Sequence, residues 1–250
     1  GPTPRAALSG SNAGAFPISA STCTAVLPAG GTSSISVTMT PTVAAARAAS
    51  LGVSAATGGS ASATLTGTGL TPARLTIAPA SRDFGAIVTG QTSAAQGFTI
   101  TNAGGVPSSV PTASLGGGSP GDFAIASNTC TAVLPASGTC SVGVTMTPSA
   151  TGARAASLVV SAATGGSVTG TLTGTGLAPA RLIADATLND FGTIDVGQQS
   201  SAFTWTISNV GAVAATGLTL SPTGDSSQFS AVNSCTATLA LGTSCVVTVR

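Results

Sequence analysis

Apolar and polar residues alternate along this chain in short runs. In Val142-Gly143-Val144-Thr145-Met146 the apolar side chains fall on every second position, the period of a half-buried strand. Phe98 and Ile100 share one face of such a run, and Phe203, Trp205 and Ile207 share one face of another. From Val168 to Thr175 the alternation is complete: Thr169, Thr171, Thr173 and Thr175 line one face, and Val168, Gly170, Leu172 and Gly174 the other. Turn formers stand between the runs, as in Asn102-Ala103-Gly104-Gly105 and Thr164-Gly165-Gly166. Helix signals are almost absent. The pattern predicts an all-β protein.

A second, longer period lies over the first. Residues 47–75 read RAASLGVSAATGGSASATLTGTGLTPARL, and residues 154–182 read RAASLVVSAATGGSVTGTLTGTGLAPARL, 107 positions on. Asp83-Phe84-Gly85 returns as Asp190-Phe191-Gly192, Cys23 as Cys130, and Phe98 as Trp205, all at the same offset. Cys235 falls two short of it, so a small deletion lies between Trp205 and Cys235. Such self-similarity marks a tandem array. The expected divisions are 1–74, the back of a repeat; 75–181, one complete repeat; and 182–250, the front of another. Seven or eight short strands in about 107 residues is the strand density of an immunoglobulin-like β-sandwich. Tandem sandwiches of this kind, with the first and last repeats incomplete, are the expected fold. The incomplete ends fit a stretch of a longer array; the sharper alternative is completion of one chain's broken front by the next chain's broken back. Phe84, Phe98 and Phe123 in the middle repeat, Phe191, Trp205 and Phe229 in the last, and Phe16 in the first are the expected core aromatics.

Composition narrows the function. Charged residues are 5% of the chain, against roughly 25% in ordinary soluble domains. Every base is Arg and every acid Asp, and the net charge is +1. Nothing here attracts nucleic acid or an anionic membrane surface. Weak charge repulsion instead favours association between copies. Mean hydropathy is +0.50, yet no apolar run reaches the roughly 18 residues of a membrane span, so membrane insertion is not expected. No secretory leader opens the sequence, as expected of a fragment or a mature segment.

Cys130 and Cys140 are ten apart, as are Cys235 and Cys245. Each pair encloses a strand, a turn and a second strand, which suits a local disulfide; reduced thiols and zinc are the rival readings, and no His is present to help a metal. Cys23 has Ser33 where its partner would stand and is expected to be an unpaired thiol, with an intermolecular link as the alternative. Paired cysteines point to an oxidising compartment.

The order of motifs in the last repeat runs Asp190-Phe191-Gly192, Val196-Gly197, the aromatic-centred strand from Trp205 to Gly211, Gln228-Phe229-Ser230, Asn233-Ser234-Cys235 and Thr243-Ser244-Cys245. In the complete repeat Thr145-Met146-Thr147-Pro148 and 172–176 (LTGTG) follow. This order resembles the bacterial choice-of-anchor D repeat, related to the ASPM/SPD-2/hydin immunoglobulin-like domains. The resemblance implies immunoglobulin-like sandwiches in large secreted or surface-anchored bacterial proteins. It leaves ligand and activity open. Ser33 departs from the pattern.

Catalytic chemistry is not expected. Asp-Phe-Gly would need a kinase's strand Lys, and the chain has no Lys. Without His or Lys a nucleophile has no base. Asp185, Asp190 and Asp195 share one segment and are the weak candidate for a calcium ion. No metal or other cofactor is expected. The Thr rows suit solvated strand faces, with sugar, ice or O-glycans as alternative uses. The expected function is a structural segment of an extracellular or cell-surface bacterial fibre that associates with identical repeats or chains. An adhesin or carbohydrate-binding module that meets surface glycans, or an accessory domain of a secreted enzyme, is the alternative.

Overall fold

A computed structural model describes residues 3–221 and 223–250. Among them every element longer than one turn is a strand. In the first stretch β1 (Arg5–Ser9), β4 (Ala46–Ala55) and β5 (Gly59–Thr68) form one sheet in the order β1-β4-β5, and β2 (Ile18–Ser21) pairs with β3 (Ile35–Val37).

The middle stretch holds β6 (Leu75–Ala78), β7 (Ser81–Val88), β8 (Gln96–Asn102), β9 (Thr112–Gly116), β10 (Phe123–Asn128), β11 (Thr139–Met146), β12 (Gly152–Ala162) and β13 (Gly166–Leu177). They form two four-stranded sheets, β10-β11-β8-β6 and β7-β13-β12-β9. In immunoglobulin lettering these are D-E-B-A facing G-F-C, with β7 added beside the last strand. All neighbours are antiparallel except β7, which runs parallel to β13. The fold is therefore an all-β immunoglobulin-like sandwich by strand order.

Alternation decides which residues enter the core. Ala156, Leu158, Val160 and Ala162 of β12 face inward and are buried. They meet Phe98, Ile100, Val142 and Val144 of the opposite sheet in one cluster. On β13, Leu172 is buried while Thr169, Thr171, Thr173 and Thr175 are exposed on the outer face.

In the last stretch β14 (Leu182–Ala184), β15 (Phe203–Asn209), β19 (Ser244–Val249) and β17 (Ala231–Asn233) form a sheet in that order, and β16 (Ala215–Thr216) pairs with β18 (Thr238–Leu239). Its A-B-E-D order repeats β6-β8-β11-β10. The first stretch repeats the other side: β1 and β9 begin at Arg5 and Thr112, and β4 and β12 end at Ala55 and Ala162, so the strands keep the 107-residue offset.

Phe16, Phe84, Phe98 and Phe123 are buried. The last stretch corrects the expectation of a filled core there. Phe191 and Trp205 are only half-buried, and Phe229 is 52% exposed. In the middle stretch the corresponding Phe84, Phe98 and Phe123 share one core cluster with residues of β12 and β13; among residues 182–250 no described strand takes the place of those two.

A buried ion pair closes one end of the middle sandwich. Asp122, 5% exposed, lies 3.4 Å from Arg154 Nε, and its Oδ1 accepts the Ser149 N–H at 2.9 Å. Hydrogen bonding to Ser149 is the main cause that holds this carboxyl below its ordinary value; burial opposes it, and the Arg154 charge adds to the lowering. A carboxyl lowered on folding contributes stability above its unfolded pKa, and that contribution is lost as pH falls through the folded value. Urea titrations from neutral to strongly acidic pH should show this loss in the wild type. Asp122→Asn should remove the component, so that the two stability curves converge at low pH. In the first stretch Ala15 replaces Asp122, and Arg47, in the place of Arg154, has a buried Nε without a hydrogen-bond partner.

Candidate functional site

Two linkers settle onto the unit that follows them, and they do so with corresponding atoms. The chain leaves β5 at Thr68 and enters β6 at Leu75. Between them the Thr71 carbonyl accepts the Gly105 N–H at 3.0 Å, and the Arg74 carbonyl accepts the Ala103 N–H at 2.7 Å. The Arg74 N–H donates to Asn102 Oδ1 at 3.0 Å. That oxygen also accepts the Gly104 N–H at 3.0 Å. The amide Nδ2 donates to the carbonyls of Val106 at 2.8 Å, Leu134 at 3.1 Å and Pro135 at 3.2 Å. One side chain thus joins the incoming linker, the turn after β8 and the loop between Cys130 and Cys140. Asn is suited to this because it carries an acceptor and two donors on one planar group.

The second seat repeats the first. The Arg181 carbonyl accepts the Val210 N–H at 2.8 Å, and the Ala178 carbonyl accepts the Ala212 N–H at 3.3 Å. Asn209 Oδ1 accepts from Arg181 at 3.2 Å and Gly211 at 3.0 Å, and Nδ2 donates to Val213 at 2.9 Å and Leu239 at 3.1 Å. Both Asn side chains are fully buried. The glycines of the seats are sites of close approach. A Cβ on Gly104 would fall on the Pro72 carbonyl oxygen and the Ala73 Cα, and one on Gly211 would fall on Pro179 and Ala180.

Cys130 is bonded to Cys140, with Cα atoms 5.1 Å apart, and Cys235 to Cys245, 5.0 Å apart. Each bridge closes the loop that supplies a carbonyl to the buried Asn. Cys23 is free and half-buried.

The remaining candidates separate. Asp185 accepts the Thr206 N–H at 3.0 Å and Asp190 the Gly192 N–H at 2.8 Å. Among the described residues no three His, Cys, Asp or Glu side chains gather as a metal site. Asp83 accepts the Gly85 N–H at 3.0 Å, Phe84 is buried, and Gly85 has φ +73°, so Asp-Phe-Gly is a bulge within β7 that plants an aromatic in the core. Sequence reasoning missed the role of Asn102 and Asn209. The signal was present: each continues the inward face set by Phe98 and Ile100, or by Trp205 and Ile207, with a polar residue.

Neither a protein-family model nor a curated protein matches the chain. Solved structures are similar to it. Extracellular cadherin domains 1–4 of protocadherin gamma B7 share 9% identity over 98% of this chain and 58% of that chain, with a TM-score of 0.47. PapD-like domain 7 of human CEP192 shares 17% over 43% of this chain and 88% of that one, with a TM-score of 0.31. The VesB protease of Vibrio cholerae shares 23% over 41% of this chain, with a TM-score of 0.32, and the match spans 32% of the protease chain. Among the described residues no helix is long and apolar enough to cross a membrane. Strand order and seats together define one complete immunoglobulin-like sandwich joined by short, docked linkers to a partial unit on either side.

Proposed function

We propose that the chain is a structural stretch of an extracellular bacterial array, in a secreted fibre or on a surface, whose immunoglobulin-like units set reach and spacing. The observation that carries this reading is the seat used twice: linker backbone, buried Asn and close-approach Gly recur, and every bond of the first seat except that to Pro135 has its counterpart in the second. A linker that spends its backbone groups on the next unit has few orientations left. Pro72 and Pro179 stiffen it further. Two disulfides suit an oxidising compartment. The near absence of charge suits lateral contact between copies. The reading is non-catalytic, in keeping with a sequence without His or Lys. It also retains the resemblance to choice-of-anchor D repeats, which carries the bacterial assignment.

Small-angle scattering of the 250-residue chain tests it. The wild type should give a narrow distribution of interatomic distances. Gly104→Ala with Gly211→Ala should broaden that distribution and raise the radius of gyration, while circular dichroism stays unchanged. A wild type that already scatters as flexibly joined units would overturn the spacing role.

A further inference from the structure

We infer that the peptide bond between Arg74 and Leu75 is a latent cleavage site for a trypsin-class serine endopeptidase, masked by the seat and opened when the linker undocks. The residues restrict where such an enzyme can act. The chain has no Lys, so a pocket that takes a long basic side chain must take Arg. Four of the seven Arg lie inside strands: Arg5 in β1, Arg47 in β4, Arg82 in β7 and Arg154 in β12. Arg250 exchanges two backbone hydrogen bonds with Ser230. The other two, Arg74 and Arg181, close the two linkers at corresponding positions.

At Arg74 the side chain is displayed and the backbone is withheld. The residue is exposed, and among the described residues its guanidinium makes no ion pair or hydrogen bond. Arg181 is exposed and unpaired in the same way. In a chain with 5% charged residues, each linker thus ends on a cation that the fold does not use. The backbone around the bond is fully engaged. The Arg74 N–H donates to Asn102 Oδ1 at 3.0 Å, and the Arg74 carbonyl accepts the Ala103 N–H at 2.7 Å. The Leu75 N–H donates to the Gly165 carbonyl at 2.8 Å, and its side chain is 3% exposed. A serine endopeptidase needs the scissile carbonyl in its oxyanion hole. It also reads the neighbouring residues as an added extended strand. Here Leu75 is already the register partner of Asn102. Nor can the enzyme slide beneath the linker, since Gly104 has no space even for a Cβ against Pro72 and Ala73.

Undocking of the linker with the start of β6 removes these obstacles together. Residues 69–74 belong to no strand, and a segment held by few bonds opens at a lower free energy than the whole unit. Hydrolysis then consumes one water. The C–N bond between Arg74 and Leu75 breaks, Arg74 keeps a carboxylate and Leu75 gains an ammonium group. The cut spares the sheets on both sides: β5 stays on β4, and β6 stays on β8 through Thr76, Ile77 and Ala78. An array cut in this way loses whole units. Arg181, Asn209 and Gly211 repeat the arrangement at the second linker. The inference rests on the docked seats and not on the fibre role.

Limited digestion of the 250-residue chain with trypsin, read by intact mass, tests it. The measurement is made at Arg74, where the following unit is complete. Wild type should be cut there about a hundredfold more slowly than a free peptide of residues 69–80, because cleavage of a closed segment follows its open population. Gly104→Ala should speed that cut by about tenfold through the same population, while Arg82 and Arg154 inside the sandwich stay uncut. Arg74→Gln in the Gly104→Ala chain should abolish it. In wild type, urea below the unfolding transition should bring cleavage at Arg74 before cleavage at Arg82 and Arg154. Wild type cut as fast as the peptide, a Gly104→Ala chain cut no faster than wild type, or all three sites opening together in urea would overturn the inference. A chain cut readily at Arg74 that still scatters with a narrow distance distribution would remove the latent site and keep the spacing role. A resistant chain that scatters as flexibly joined units would do the reverse.

Discussion

Asn102→Ala destabilises the middle sandwich by about 4 kcal/mol, the scale expected when a buried hydrogen-bond network loses its centre. The side chain holds two backbone N–H groups and three carbonyls in a site without solvent exposure. Alanine leaves the N–H groups of Arg74 and Gly104 and the three carbonyls to find water or remain unpaired. Aspartate is the sharper probe, because it keeps the shape. Its Oδ1 retains both N–H bonds, but its second oxygen meets three carbonyl oxygens and has nothing to donate. Burial and this repulsion raise its pKa on folding. A group raised on folding adds stability below its unfolded pKa and loses it as pH rises through the folded value. Asn102→Asp should therefore be less damaging at pH 4 than at pH 7, and at pH 7 worse than alanine. Hydrogen exchange in β8 and β11 during urea unfolding reads all three proteins. An Asn102→Ala chain within 1 kcal/mol of wild type would remove the amide from the centre of the seat. Asn209→Ala should act likewise in the last stretch, where Trp205 on the same strand is the chain's single tryptophan and reports by fluorescence.

Removal of either disulfide should cost about 3 kcal/mol in its own stretch, from the chain entropy of a loop of this size. The first stretch is an internal comparison. It lacks the bridge, and its β2 and β3 are four and three residues long against six and eight for β10 and β11. The surrounding geometry is nevertheless kept: the Thr22 N–H donates to Ser34 at 2.9 Å as the Thr129 N–H donates to Ser141 at 2.9 Å. Cys130→Ser with Cys140→Ser should thus raise exchange in β10 and β11 to first-stretch levels. Ser33→Cys should do the reverse, with Cys23 oxidised by loss of two hydrogens in the intact mass. Unchanged exchange in the first variant would show that the loop is held by Asn102 alone.

Much of this architecture was legible in the residues. Strict alternation from Val168 to Thr175 marks β13 and the face it buries, and the shared offset of Asp-Phe-Gly and of Cys23 and Cys130 marks the repeat. Alternation tells a strand which side is wet; it does not name the strand's neighbour. Hence the parallel pairing of β7 with β13, some ninety residues apart, was out of reach, as was the burial of Asp122 against Arg154. The aromatics of the last stretch failed for a related reason. Trp205 and Phe229 have the right period for a core, but a core also needs a second sheet, and period carries no information about that.

The parallel register of β7 and β13 has a mechanical consequence. β7 follows the incoming linker after the short β6, and β13 lies just before the outgoing linker. Tension along the array pulls these two strands past each other in opposite directions. The register from Ser81 opposite Thr171 to Val88 opposite Leu177 is then loaded in shear, with its bonds strained together instead of parting one at a time. In the middle sandwich, tension between the two linkers therefore meets this edge pairing in shear.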